Sequence, residues 1–168
     1  YVEISPSPGS TDSVTEGSTN LYYTNTRADA RITAAIGVTV ASLTGSETLT
    51  NKTLTNPTVN NYTEGVVAIG TVSSASTLSL TSGTVQTATL TASTACTFTM
   101  PTATAGKSFV LLLKQAASTG NGTATFTGVK WSGGTAPTIT ATAGKMDILS
   151  FFADGTNWYG SATQNFTP

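Results

Sequence analysis

Any catalysis by this sequence would have to run on carboxylates. It contains no histidine, which removes the commonest general base and the commonest metal ligand. Nucleophile systems of the Ser-His-Asp or Cys-His type cannot be assembled. The single thiol, Cys96, can form neither an intrachain disulfide nor a zinc cluster. It alternates with Phe98 and Met100 between small polar residues, the pattern of a small buried hydrophobe on a strand. Of the eight acids, Glu3, Asp12, Glu16, Asp29, Glu47 and Glu64 lie in the first part of the chain, and only Asp147 and Asp154 follow. A glycosidase needs two carboxylates in register across one bond. Asp147, between Met146 and Ile148, reads instead as an outward strand residue, and Asp154, before Gly155, as a turn former. There is no GxGxxG and no P-loop sequence. The expectation is a protein that is not an enzyme and uses no cofactor and no metal.

Binding chemistry has more to work with. Trp131, Asp154, Asn157 and Tyr159 lie near glycines in turn-rich sequence. Aromatic faces beside Asn and Asp suit sugars, so these four are the candidate receptor contacts. The competing reading makes Trp131 and Trp158 anchors of a core, with Tyr159 pointing to the other side of its strand.

Charge narrows the partners. Only 9% of residues are charged and the net charge is −1. The basic residues Arg27, Arg31, Lys52, Lys107, Lys114, Lys130 and Lys145 are scattered, whereas a phosphate-binding surface needs them clustered. No nucleic-acid partner is expected. No apolar run approaches the roughly 18 residues of a membrane span, so no membrane insertion is expected. No signal peptide is visible, and a start at Tyr1 suits a fragment or a processed product.

The elements that must position these residues follow from patterning. Thr makes up more than a fifth of the chain and 38% is hydrophobic. Thr is β-branched and uncharged, suited to the half-exposed face of a strand. Residues 1–20, with Pro6, Pro8, Gly9 and Gly17, read as an extended attachment or linker segment. Residues 21–41 predict a short helix: Thr24 or Asn25 can cap it, and Ala28, Ile32 and Ile36 share one face. Residues 42–63 read as a stalk carrying a five-residue repeat, LTNKT, LTNPT, VNNYT over 49–63. Each unit offers one aliphatic residue, Leu49, Leu54 and Val59.

Neither stripe has anything within its own segment to pack against. Three units are too few for a self-supporting solenoid, and a helix of a dozen residues is marginal alone. Three chains side by side would close both. Ile32, Ile36, Leu49, Leu54 and Val59 are therefore the candidate residues of a trimer axis.

Residues 64–168 predict short strands at 65–71, 77–80, 84–91, 96–100, 108–114, 123–127, 138–142, 145–153 and 158–161, separated by glycine-rich turns. Thr123, Thr125 and Thr127 should face out, and Ala124 and Phe126 in. The fold class expected is all-β: a C-terminal β-sandwich, jelly-roll-like, preceded by a short helix and an extended repeat stalk.

Two stretches are recognisable. Residues 11–32, TDSVTEGSTNLYYTNTRADARI, and 45–58, GSETLTNKTLTNPT, resemble segments of bacteriophage tail-fibre and related virion proteins. Residues 98–114, 129–137 and 147–160 look like a β domain found at the ends of such proteins. The resemblance implies a homotrimeric structural protein of the virion. Its N-terminal segment would join other virion proteins, and its C-terminal domain would meet a host-surface glycan or protein. A capsid head fibre or decoration protein with no receptor role would use the same parts. The resemblance transfers no ligand residues.

Overall fold

A computed structural model describes residues 17, 24–36, 46, 48–50 and 53–168 of the chain. The side chains of residues 33, 35 and 36 lie outside that description. So do nearly all of the expected lead-in 1–20 and the stretch 37–45. The chain divides into two compact units, with the boundary between Pro57 and Thr58.

In the first unit, helix α1 spans Asn25–Ile36. Thr24 caps it. Its Oγ1 accepts from the Arg27 amide at 3.2 Å, and its carbonyl accepts the first helical bond from Ala28 at 3.0 Å. That satisfies an amide that the helix itself leaves without a partner. Ile32 is 45% exposed on this helix.

The five-residue repeat has a conformational counterpart. It contains no regular strand among its described residues. Asn56 and Asn61, five residues apart, both adopt left-handed backbone, with φ of 49° and 54°. Asn is one of the few L residues that visits this region readily. Leu49, Leu54 and Val59 are 56%, 61% and 58% exposed, so the stripe is unburied in the single chain.

The second unit is built of coils. Strands β1 (Val66–Val72), β3 (Val85–Leu90) and β5 (Ser108–Lys114) lie side by side in parallel. Strands β2 (Ala75–Thr77), β4 (Ala95–Thr99) and β6 (Thr123–Thr127) do the same in a second, three-stranded sheet. Each turn of chain thus contributes one strand to each sheet, a β-solenoid-like arrangement. After β6 the pattern breaks. A short strand β7 (Val129–Trp131) joins the far edge of the first sheet. Strand β8 (Met146–Ala153) then runs antiparallel to β5, and β9 (Trp158–Phe166) antiparallel to β8. The larger sheet has the order β1-β3-β5-β8-β9-β7.

The all-β class therefore holds, with one described helix. A jelly roll joins antiparallel strands in Greek keys. Here the coils pair in parallel and only the β5–β8–β9 part is antiparallel. Length and turn spacing are the same for both designs. What separates them is which strand pairs with which.

The core sits between the two sheets. Ala88, Leu90, Phe109, Leu111, Leu113, Leu149, Phe151 and Trp158 enter from the larger sheet, and Cys96 and Phe98 from the smaller. Stacking in register puts like on like: Phe98 lies opposite Phe126, with ring centroids 5.1 Å apart. Thr97 lies opposite Thr125 on the outer face, their hydroxyls 3.2 Å apart. Strand β6 alternates as expected, with Thr123, Thr125 and Thr127 exposed and Ala124 and Phe126 half-buried. Burying a side chain such as Phe98, at 0% exposure, contributes about 1.5–3 kcal/mol.

Four expected elements differ. The strand expected at 77–80 lies instead at Ala75–Thr77, and residues 78–80 are not strand. Residues 138–142 form no strand, because side chains take the backbone groups that a ladder would have used. Gln164 donates to the Thr138 carbonyl at 2.5 Å and Gln115 to the Thr140 carbonyl at 2.7 Å, while the Thr140 amide donates to Asp147 at 2.7 Å. Strand β7 falls where only a loop was expected. Strand β9 runs on to Phe166, beyond the expected end at 161. Gln115 is buried with both ends of its amide used: it also donates to the Gly122 carbonyl at 2.8 Å and accepts from the Gly122 amide at 2.9 Å. Gly122 has no room for a Cβ, which would stand 2.7 Å from the Leu90 Cβ.

Candidate functional site

The turn between β8 and β9 is organised by one carboxylate. Asp154 Oδ1 accepts from the amides of Thr156 at 2.8 Å and Asn157 at 2.7 Å, an Asx-type turn. Its Oδ2 accepts from the Tyr159 hydroxyl at 2.9 Å. The Asn157 amide, then the Thr156 amide and the Tyr159 hydroxyl, pull the Asp154 pKa down to about 2. The same hydrogen bond, with the carboxylate charge behind it, raises the phenol of Tyr159. An ionised carboxylate with three donors on it is a fixed acceptor, unsuited to carry a proton at neutral pH.

Three of the four receptor-contact candidates, Asp154, Asn157 and Tyr159, are thus brought together. Trp131 is elsewhere. It pairs in register with Gly160, one residue on from Tyr159, and so faces the opposite side of the sheet. There it is half-buried, edge-on to Phe126 at 5.8 Å and to Phe151 at 5.9 Å. Gly160 makes space for it: a Cβ there would stand 2.6 Å from the indole. Trp158 is 3% exposed and its indole N–H donates to the Pro101 carbonyl at 2.7 Å.

Phe152 joins the cluster unforeseen. It is 54% exposed and sits opposite Tyr159, itself 46% exposed, across the β8–β9 ladder. The signal was present in the sequence, since two consecutive Phe residues on one strand must point to opposite faces. Phe152 and Tyr159 border a shallow groove of about 360 Å³ with Ser108, Ser150 and Ser161 along it. Two aromatic faces beside three hydroxyls can stack and hydrogen-bond a neutral polar ligand.

Asp147 reverses its expected direction. It is fully buried and points inward from β8. Its carboxylate accepts from the amides of Thr140 and Asn165 at 2.7 and 2.9 Å, and from the Gln164 side chain at 3.1 Å. Burial pushes its pKa up, but these donors outweigh burial and hold it below the ordinary carboxylate range. Asp147 and Asp154 stand seven residues apart along an extended chain, roughly 23 Å at ~3.3 Å per residue. Paired glycosidase carboxylates stand about 5–9.5 Å apart. Among the described residues no group of three or more His, Cys, Asp or Glu side chains could hold a metal ion, and no described helix is long and apolar enough to cross a membrane. Cys96 is buried, and burial raises its thiol pKa.

No protein-family model matches this chain, and no similar curated protein or solved structure was found.

Of the trimer-axis candidates, Ile32, Leu49, Leu54 and Val59 are all exposed in the single chain. The side chain of Ile36 lies outside the described residues.

Proposed function

We propose that this chain is a structural fibre protein of a bacteriophage virion. It works as a homotrimer that carries its C-terminal β domain to a host-surface glycan or protein. The observation that carries the reading is the unburied aliphatic stripe Leu49, Leu54 and Val59 on a segment where Asn56 and Asn61, five residues apart, are both left-handed. A regular segment with one exposed aliphatic per unit is stable only when other chains cover that aliphatic. The resemblance of residues 11–32 and 45–58 to virion fibre segments supports the same reading. The aromatic and hydroxyl groove beside Asp154 and Tyr159 is the surface offered to the host, and three copies on one fibre multiply a weak contact by avidity.

Light scattering of the intact chain tests the assembly. The expected result is a trimer that loses mass when Leu49, Leu54 and Val59 are together changed to Ser; a monomeric native chain refutes it. A glycan array probed with the native chain and with Tyr159→Ala tests the contact. Retention on empty capsids with no glycan or host-cell binding would assign the protein to the capsid surface instead.

A further inference from the structure

The groove beside Phe152 and Tyr159 does not end there. A larger cavity of about 560 Å³ adjoins it, lined by Glu64, Thr84, Lys107 and the same Ser108, Ser150 and Phe151 that line the groove. Two rows of side chains cross the strands beneath them. Ser108, Phe152 and Tyr159 stand opposite one another on β5, β8 and β9, and Val110, Ser150 and Ser161 form the next row. Ser108 and Ser150 are small and exposed where the two hollows meet. Together the hollows make one cleft that crosses the sheet from the start of β1 to β9.

The far end differs in chemistry from the aromatic end. Glu64 and Lys107 both line it and bring one charge of each sign. The Thr84 hydroxyl donates to the Glu64 carboxylate, and the Tyr62 hydroxyl donates to it at 3.5 Å. An ionised carboxylate has about four acceptor sites, so Glu64 is positioned and still has acceptors for a ligand. The turn that bears Lys107 is fixed as well. The Gly106 amide donates to the Ala153 carbonyl at 3.0 Å, and the Ala153 amide donates to the Lys107 carbonyl at 2.8 Å. Ala105 lies against the Asp154 turn, where a Cβ on Gly155 would stand 3.3 Å from the Ala105 Cβ. Both ends of the cleft are thus tied to one frame, which lowers the ordering cost of binding.

We infer that the whole cleft is the host-contact site and that its occupant is an uncharged oligosaccharide lying across the strands. It stacks on Phe152 and Tyr159 at one end and is hydrogen-bonded by Glu64 and Lys107 at the other. The inference rests on the host-contact reading above and names the ligand class of that site. Three observations select a sugar chain. The first is the pairing of donors and acceptors. Sugar hydroxyls do both, and the far end offers a carboxylate that accepts beside an ammonium that donates. Opposite charges in one hollow favour neither an anionic nor a cationic ligand.

The second is length. Four strand spacings of ~4.8 Å separate β1 from β9, roughly 19 Å, the reach of an oligomer and not of a single sugar. The third is the state of the backbone. An extended peptide binds by adding a strand to an exposed sheet edge. Strands β3, β5, β8 and β9 each have neighbours on both sides, so the floor of the cleft has no free ladder for a peptide to join.

The test uses the full 168-residue chain on an array of linear uncharged oligosaccharides graded from monosaccharide to hexasaccharide. Uronic-acid oligosaccharides and peptides are printed alongside. Affinity for the uncharged series is expected to rise with chain length. Glu64→Gln and Lys107→Ala should each weaken the hexasaccharide by about tenfold, the worth of a hydrogen bond to a charged group, and leave the disaccharide unchanged. Both side chains are exposed, and circular dichroism confirms that the variants stay folded. Equal affinity for short and long chains, untouched by both variants, overturns the extended cleft and leaves the contact at Tyr159 standing. Capture of peptides or of acidic oligosaccharides alone overturns the choice of occupant. A chain that binds no oligosaccharide yet adheres to bacterial cells overturns the inference alone. A chain that does neither overturns the host-contact reading with it.

Discussion

Asp147 is a position where a single substitution should be costly. Its carboxylate is fully buried and serves three donors from two different segments: Thr140 from the extended stretch before β8, and Asn165 and Gln164 from β9. In Asp147→Ala the Gln164 amide keeps a partner, because it also donates to the Thr138 carbonyl. The Thr140 and Asn165 amides lose theirs. Leaving a buried donor without an acceptor costs about 1–3 kcal/mol; Thr140 is half-buried and Asn165 is exposed and open to water, so the loss expected is that of one such donor, roughly 1–3 kcal/mol. Urea denaturation followed by circular dichroism measures it, as a lower midpoint at unchanged slope. A loss under about 1 kcal/mol would refute the view that this carboxylate ties the 138–142 stretch to β9.

The acid limb gives a second reading of the same group. The folded pKa of Asp147 lies below its ordinary value. Its contribution is therefore fully present above an unfolded aspartate value of about 3.9, and is lost as pH falls through the folded value. Native stability should drop on acidification below about pH 4, and Asp147→Ala should flatten that limb.

Three further outcomes are expected. Gly160→Ala drives a Cβ to within 2.6 Å of the Trp131 ring and should destabilise by about 1–3 kcal/mol, the usual range for overpacking, seen as a lower urea midpoint with a shifted Trp emission. Cys96 is buried with its thiol pKa raised, so thiol reagents at pH 8 should label it only as fast as the chain opens; immediate labelling of the native protein would contradict this. The Tyr159 phenol should titrate above its ordinary value in ultraviolet absorbance, because it donates to the Asp154 carboxylate. Asp154→Asn should return it toward about 10, and an unchanged titration would show that the hydrogen bond does not hold in solution.

Much of the β domain was legible locally. Alternation placed Phe126, Phe98 and Cys96 inside and the Thr residues of β6 outside, because the side-chain period of a strand is two wherever the strand lies. The capping threonine of α1 was legible too, since its hydroxyl answers a need of the helix end itself. The carboxylate turn at Asp154 followed from the local sequence Asp-Gly for the same reason.

The misreadings concern partners far apart in the chain. Asp147 breaks an apolar run, and nothing nearby reveals that Thr140 and Asn165 will supply its donors. The stretch 138–142 has strand composition, yet its backbone groups are claimed by Gln115, Asp147 and Gln164. Trp131 could serve a surface or a core, and its short pairing with β9 turned it inward.

What the sequence alone determined was therefore the class of structure and the direction of most side chains: short Thr-rich strands, one capped helix and an aliphatic stripe with nothing beside it. Only the tertiary structure decided that the strands coil in parallel, that the buried carboxylate is an internal tie, and that Phe152 and Tyr159 meet across the β8–β9 ladder on an outer face. Periodicity is a property of one strand. Register, pairing and the composition of a sheet face are properties of several strands at once, and no single segment encodes them.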